Sequence, residues 1–203
     1  MQVEVDIRRF CEPDIPLLWE AARESITDLC AWMVWCHPKY SLADSRAFVS
    51  QCEAAWQKGD RYSFVIWDRR NGAFLGSVGL SHVDHKHRLA NLGYWVRSSR
   101  TGCGIASAAV ILAARFAFQR LDLNRLELLV PEANSASIRV AERVGAKREG
   151  FLRKRLVLEG EPRDALLYSL VEEDLRPRDA AELRVPFSKA QTNHVETSTT
   201  ISA

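Results

Sequence analysis

Residues 91–120 constrain the fold of this chain more than any other stretch. Leu92-Gly93-Tyr94-Trp95-Val96 is an almost unbroken apolar run and predicts a buried strand. A polar turn follows, Arg97-Ser98-Ser99-Arg100, and Thr101-Gly102-Cys103-Gly104-Ile105-Ala106 then opens a long helical segment. A glycine-containing turn between a strand and a helix is a phosphate-binding geometry. The first backbone N–H groups of the helix have no partner within it, and the helix dipole adds partial positive charge at that end. Glycines let the backbone close on an anion with no Cβ in the way. The turn lacks the Gly-Lys-Ser/Thr ending of a Walker A loop and the third spaced glycine of a dinucleotide fingerprint.

The 203 residues fit one domain, or one domain with a tail, and 47% apolar residues are enough for a sizeable core. A formal charge of +2 argues against nucleic acid as an obligate partner. The first residues carry no apolar signal core and no run approaches a membrane span, so a cytoplasmic protein is expected. Five cysteines without a C-x-x-C pair read as reduced thiols.

Along the chain, Val3, Val5 and Ile7 alternate with Glu4, Asp6 and Arg8, predicting a half-buried first strand. Pro13-Asp14 starts a helix whose apolar positions run through Leu17, Leu18 and Ala21 to Ile26 and Leu29. A second helix over 42–58 stops at Gly59. Two near-continuously apolar strands, 61–68 and 74–81, flank Arg69-Arg70-Asn71-Gly72, a hairpin signal in a sheet covered on both faces. His82, Asp84, His85 and His87 fall in a polar connection without metal-ligand spacing, so no metal is expected. The helix after the glycine turn is apolar nearly all round and should pack inside, against the sheet. A buried strand over 125–130 ends at Pro131. The next helix has Asn134 as its N-cap, Gly145 as its stop, and Ser137 on the face of Val140, Ala141 and Val144. Strands 151–158 and 165–171 form a last hairpin through Glu159-Gly160-Glu161-Pro162, with Arg153-Lys154-Arg155 on a solvated edge. Residues 176–203 lose periodicity, and 189–203 read as disordered.

The turn at Thr101–Ala106 resembles the acyl-CoA loop of the GNAT N-acetyltransferases, whose pattern is Gln/Arg-x-x-Gly-x-Gly/Ala. Thr101 stands where Gln or Arg is usual, with Arg100 just before it. Leu92-Gly93-Tyr94-Trp95, the Trp32-x-x-Trp35-then-Pro38 segment, residues 134–150, and the ending with Glu159-Gly160, Arg163-Asp164 and Tyr168 are similar to the RimJ/RimL branch. That branch acetylates protein N-termini and assorted small amines. The resemblance implies an α/β fold over residues 1–175: a mixed, mostly antiparallel sheet of about seven strands, splayed between strands four and five, flanked by about four helices.

The same resemblance implies acetyl-CoA as co-substrate, a primary amine as acceptor, and a monomer or homodimer with neither nucleic acid nor membrane as partner. It assigns the acyl-CoA to Trp95, Val96, Arg97, Arg100, Thr101, Gly102, Cys103, Gly104, Ile105, Ala106 and Asn134, with the pantetheine arm paired to backbone around Trp95–Arg97. Trp32, Trp35 and Tyr94 are its acceptor contacts, although both indoles also read as plain core. A tyrosine often serves as acid at the place of Ala141; in the RimL-like branch a serine at the place of Ser137 takes that role, and an asparagine at the place of Asn134 binds the pantetheine arm or the active-site water, which makes Asn134 the second catalytic candidate. Many relatives carry a glutamate where Asn91 stands, and an amide accepts no proton at neutral pH, so the base is open among Glu159, Asp164, Asp84 and His82. Two alternatives stand beside acetyl transfer: a longer donor such as succinyl-CoA, and a non-catalytic acyl-CoA sensor.

Overall fold

Residues 3–175 are described by the computed structural model, so the expected tail at 176–203 lies outside the described residues. Seven strands form one open sheet in the order β1-β2-β3-β4-β5-β7-β6. They are β1 (Val5–Arg9), β2 (Tyr62–Asp68), β3 (Phe74–Asp84), β4 (Leu89–Val96), β5 (Arg125–Pro131), β6 (Lys147–Leu158) and β7 (Glu161–Leu170). Every pairing is antiparallel except β4 with β5, which is parallel and holds for only three register positions, from Leu89 opposite Arg125 to Asn91 opposite Glu127. Beyond Asn91 the two strands no longer pair, which is the expected splay.

The helices are α1 (Asp14–Glu24), α2 (Ile26–Cys30), α3 (Leu42–Lys58), α4 (Ile105–Leu121) and α5 (Ser135–Arg143). One sheet face carries Phe64, Ile66, Val78, Leu80 and Leu92 against α4. The other carries Val65, Phe74 and Trp95 toward α1 and α3. The sequence places α4 inside, and Ile105, Val110, Leu112, Phe116 and Phe118 are all buried. Burial of each such side chain contributes roughly 1.5–3 kcal/mol. α3 begins with a reciprocal capping box between Ser41 and Asp44 and ends on Gly59 in the left-handed conformation, as its flanking residues dictate.

Four expectations need correction. The first helix is two: it breaks at buried Ser25, whose hydroxyl accepts the Ser98 N–H at 2.9 Å, so five helices flank the sheet instead of about four. Asp6 does not alternate outward: it is buried, accepts the Ile7 N–H at 2.8 Å, and is pushed up from the usual carboxylate range by that burial. β3 runs through His82 to Asp84 across a bulge, with His82 at a φ of 52°, so those two residues belong to a strand end rather than to the loop. β6 begins at Lys147 and β7 at Glu161, with a two-residue turn of Glu159 and Gly160 at positive φ. β6 is an edge strand with little burial, so its first four residues carry none of the apolar signal that marks an inner strand. No helix among the described residues is long and apolar enough to cross a membrane.

Candidate active site

The glycine turn is held from behind by the break between α1 and α2. Arg97 pairs with Glu20 at 3.0 Å and with Glu24. Ser99 donates its N–H to Glu24 at 3.0 Å, and Ser98 donates its hydroxyl to Asp28. Two hydrogen bonds from Arg97 and one from Ser99 hold the Glu24 carboxyl down at about 2. Thr101 closes the turn by donating its hydroxyl to the Ser98 carbonyl at 3.0 Å. Gly102 and Gly104 sit at φ of 75° and 78°, a conformation that strains any residue with a Cβ. The N-cap of α4 is Gly104, which has no side chain to cap the helix, so among the described residues the first-turn N–H groups have no side-chain cap. Arg100 and Cys103 are exposed on the same turn. The side chain of Arg97 is engaged with α1, and its carbonyl accepts the Arg100 N–H at 2.9 Å, so Arg97 serves the turn as a support.

Past Asn91, β4 presents a free edge. The Arg97 N–H bonds to the Leu75 carbonyl at 2.9 Å, toward β3. Peptide groups alternate along a strand, so those of Leu92, Tyr94 and Val96 face the opening toward β5.

A cavity of about 620 Å³ reaches from this opening across the sheet. Its floor is the face on which β2, β3 and β4 carry small or polar residues: Ser63; Ser77, Gly79 and Ser81; Asn91 and Gly93. Its roof is the 32–35 segment with Tyr40, together with Asp44, Phe48 and Gln51 of α3. The far wall is β5 from Leu128 to Pro131, with Asn134 and Ser137 beyond it. Of the residues singled out in the sequence, Trp32, Trp35, Tyr94, Trp95, Asn134 and Ser137 meet here. The indoles of Trp35 and Trp95 are 5.8 Å apart. Val96, Arg97 and the turn from Arg100 to Ala106 lie on the other side of the β4 edge and do not border the cavity.

Asn134 caps α5: its side-chain oxygen accepts the Ser137 N–H at 3.0 Å. The Tyr94 hydroxyl donates to the Ser137 carbonyl at 3.5 Å, and burial raises its pKa, which keeps the phenol protonated. Ser137 and Tyr94 therefore stand together at the opening.

The four candidate bases do not border the cavity. Asp84 is bonded to His87 at 2.9 Å, His82 is exposed, Asp164 accepts the Lys154 N–H at 2.7 Å, and Glu159 sits in the last hairpin turn. Among the described residues, the charged ones that do border it are Asp44 and Arg61. Sequence reasoning passed over both, along with the serine floor. The floor had a signal: Ser77, Gly79 and Ser81 recur at every second position, between Val78 and Leu80. No group of three or more potential metal ligands occurs among the described residues, and all five cysteines are free.

Residues 4–147 match the acetyltransferase (GNAT) domain family. The structure of Mycobacterium smegmatis RimJ, in complex with CoA-disulfide, is 31% identical, covers 88% of this chain and 87% of that one, and superposes with a TM-score of 0.81. YdaF of Bacillus subtilis (strain 168) is 34% identical over 104 residues, 51% of this chain and 57% of its own length, so the chain spans little more than half of that relative. Spermidine N(1)-acetyltransferase of Escherichia coli (strain K12) is 28% identical over 127 residues, 59% of this chain and 68% of that protein. With an uncapped helix behind a double-glycine turn, a splayed pair of parallel strands and a family match over most of its length, this chain belongs to the GNAT acetyltransferase family.

Proposed function

We propose that this protein is an N-acyltransferase that moves the acetyl group of acetyl-CoA to a primary amine by direct attack, the amine being a peptide N-terminus. The observation that carries this reading is a succession along the chain: the free edge of β4 past Asn91 borders a cavity roofed by aromatic side chains and leads directly into the glycine turn and the N-terminus of α4. The turn from Gly102 to Ala106 would hold the pyrophosphate, and the outward peptide groups of Tyr94 and Val96 would pair with the pantetheine arm. An N–H of that edge stabilises the oxyanion of the tetrahedral intermediate; removing one such donor typically costs ~3 kcal/mol.

As the amine nitrogen bonds to the thioester carbon, the carbon–sulfur bond breaks and the thiolate takes a proton. Ser137 would give it and recover one from water, and the protonated phenol of Tyr94, which donates to the Ser137 carbonyl, is a second acid at the same opening. Among the described residues the one carboxylate on the cavity wall, Asp44, is held by the Ser41 hydroxyl and N–H. The amine therefore loses its proton to water, and the transfer relies on proximity. A peptide suits this cavity better than a polyamine. Several cations would meet a single, already bonded carboxylate and the guanidinium of Arg61.

The test is thiol release from acetyl-CoA and succinyl-CoA across a panel of amines and N-terminal peptides. Release that depends on both acetyl-CoA and a peptide is the expected result. CoA binding with no release for any acceptor would favour the sensor reading, and no CoA binding at all would sink the assignment.

A further inference from the structure

Building on that acceptor reading, we propose that the cavity selects peptides with an acidic side chain near the N-terminus, and that Arg61 is the residue that reads it. Arg61 immediately precedes β2 and lies under α3, with its guanidinium 5.7 Å from the centre of the Phe48 ring. It is half-buried on the cavity wall, and its Nε is buried with no hydrogen-bond partner. Among the described residues no carboxylate lies within ion-pair distance of it. The arginines at 8, 97 and 125, by contrast, each hold at least one carboxylate. A guanidinium that is partly desolvated, with a buried unbonded Nε and no counter-ion among the described residues, gains from an arriving anion, and its planar fork matches a carboxylate with two parallel hydrogen bonds.

A second polar group on the same floor also lacks a partner. The Asn91 Oδ1 is buried and unbonded, an acceptor waiting for an N–H such as a peptide amide. The register relates the two. Asn91 lies opposite Ser81, and Arg61 precedes Tyr62, whose partner is Leu80, so Arg61, Ser81 and Asn91 form one row across three strands. Tyr94 and Trp95, beside the opening toward β5, lie three and four residues further along β4. At ~3.4 Å per residue along a strand and ~4.8 Å between strands, the backbones of Arg61 and of Tyr94 and Trp95 stand roughly 15 Å apart, and the Arg61 side chain takes up part of that span. An extended peptide covers that span with an acidic side chain at about its third residue; a single amino acid does not.

The experiment compares peptides that differ only in Glu, Gln or Lys at the third residue, on wild-type protein and on R61Q, R61K and R61E. Both thiol release and binding to the CoA-loaded protein are measured. The wild type should favour the Glu peptide about tenfold over Gln, chiefly in KM. R61Q should lose the preference while keeping its rate on the Gln peptide and its CoA affinity, R61K should keep part of it, and R61E should turn toward the Lys peptide. Equal use of all three peptides by the wild type, or an R61Q loss that is the same for every peptide, would overturn the proposal. A Glu preference in binding that R61Q abolishes, without thiol release, would keep Arg61 as the reader and sink the transferase reading. Release with no preference does the reverse.

Discussion

The guanidinium of Arg97 is locked to the carboxylate of Glu24, so the turn that follows β4 is fastened to the end of α1 across 73 residues of sequence. Glu24 also receives the Ser99 N–H, which makes it the anchor of the glycine turn. Glu24→Gln should lower stability at neutral pH by about 1–2 kcal/mol, less than a closed pair would give because both side chains touch solvent. CoA should bind several-fold more weakly.

The pH dependence has a definite sign. The folded-state pKa of Glu24 is depressed to about 2, so its contribution is complete above the ordinary carboxylate value and fades as pH falls toward 2. Denaturant titrations of wild type and E24Q should therefore differ most at pH 7 and converge in acid. A difference that grows on acidification would contradict the assignment.

Two glycine substitutions should separate fold from binding. Gly76 has a φ of 151°, and a Cβ there would stand 2.1 Å from the Trp95 carbonyl oxygen on β4. Backbone cannot yield as a side chain can, so Gly76→Ala should cost about 4 kcal/mol or more and leave little folded protein. Gly104 has a φ of 78° and open space around it. Gly104→Ala should cost only ~1–2 kcal/mol of backbone strain. The fold should survive, seen by thermal melting, while calorimetry shows weakened CoA binding.

Features that were legible in the sequence are those whose cause is local. α3 is bounded by its own Ser41–Asp44 box and Gly59, and the turn before α4 is marked by its two glycines at positive φ. The break at Ser25 was not legible, because it depends on Ser98 arriving from the far end of β4. Arg61 was hidden for a similar reason. Before folding it is one charge beside an aspartate in Gly59-Asp60-Arg61; only the pairing of β2 with β3 under α3 turns it toward a cavity. The start of β6 escaped because an edge strand exposed on both faces loses the period-two pattern.

The indole of Trp35 is packed on one side by Trp95 and on another by Tyr40, at 5.8 and 5.4 Å, and remains 40% exposed at the cavity roof. A side chain placed so is available to an acceptor while adding little to the core. Trp35→Ala should raise the acceptor KM about tenfold or more, with the CoA dissociation constant unchanged and a modest loss of thermal stability. An unchanged KM alongside a large drop in stability would return Trp35 to the core.

Ser137 and Tyr94 offer two protons at one opening, and substitution distinguishes them. The Ser137 N–H is fixed by Asn134 and its carbonyl receives the Tyr94 hydroxyl, so both backbone contacts survive removal of Oγ. Ser137→Ala should therefore leave the fold and CoA affinity intact. If Oγ protonates the thiolate, turnover falls ~10²-fold or more, because a positioned acid contributes at that scale. Tyr94→Phe loses only a long hydrogen bond to the cap and should reduce turnover far less. The reverse order, a severe defect in Tyr94→Phe and a mild one in Ser137→Ala, would move the acid to the phenol and leave Ser137 as a residue that frames the opening.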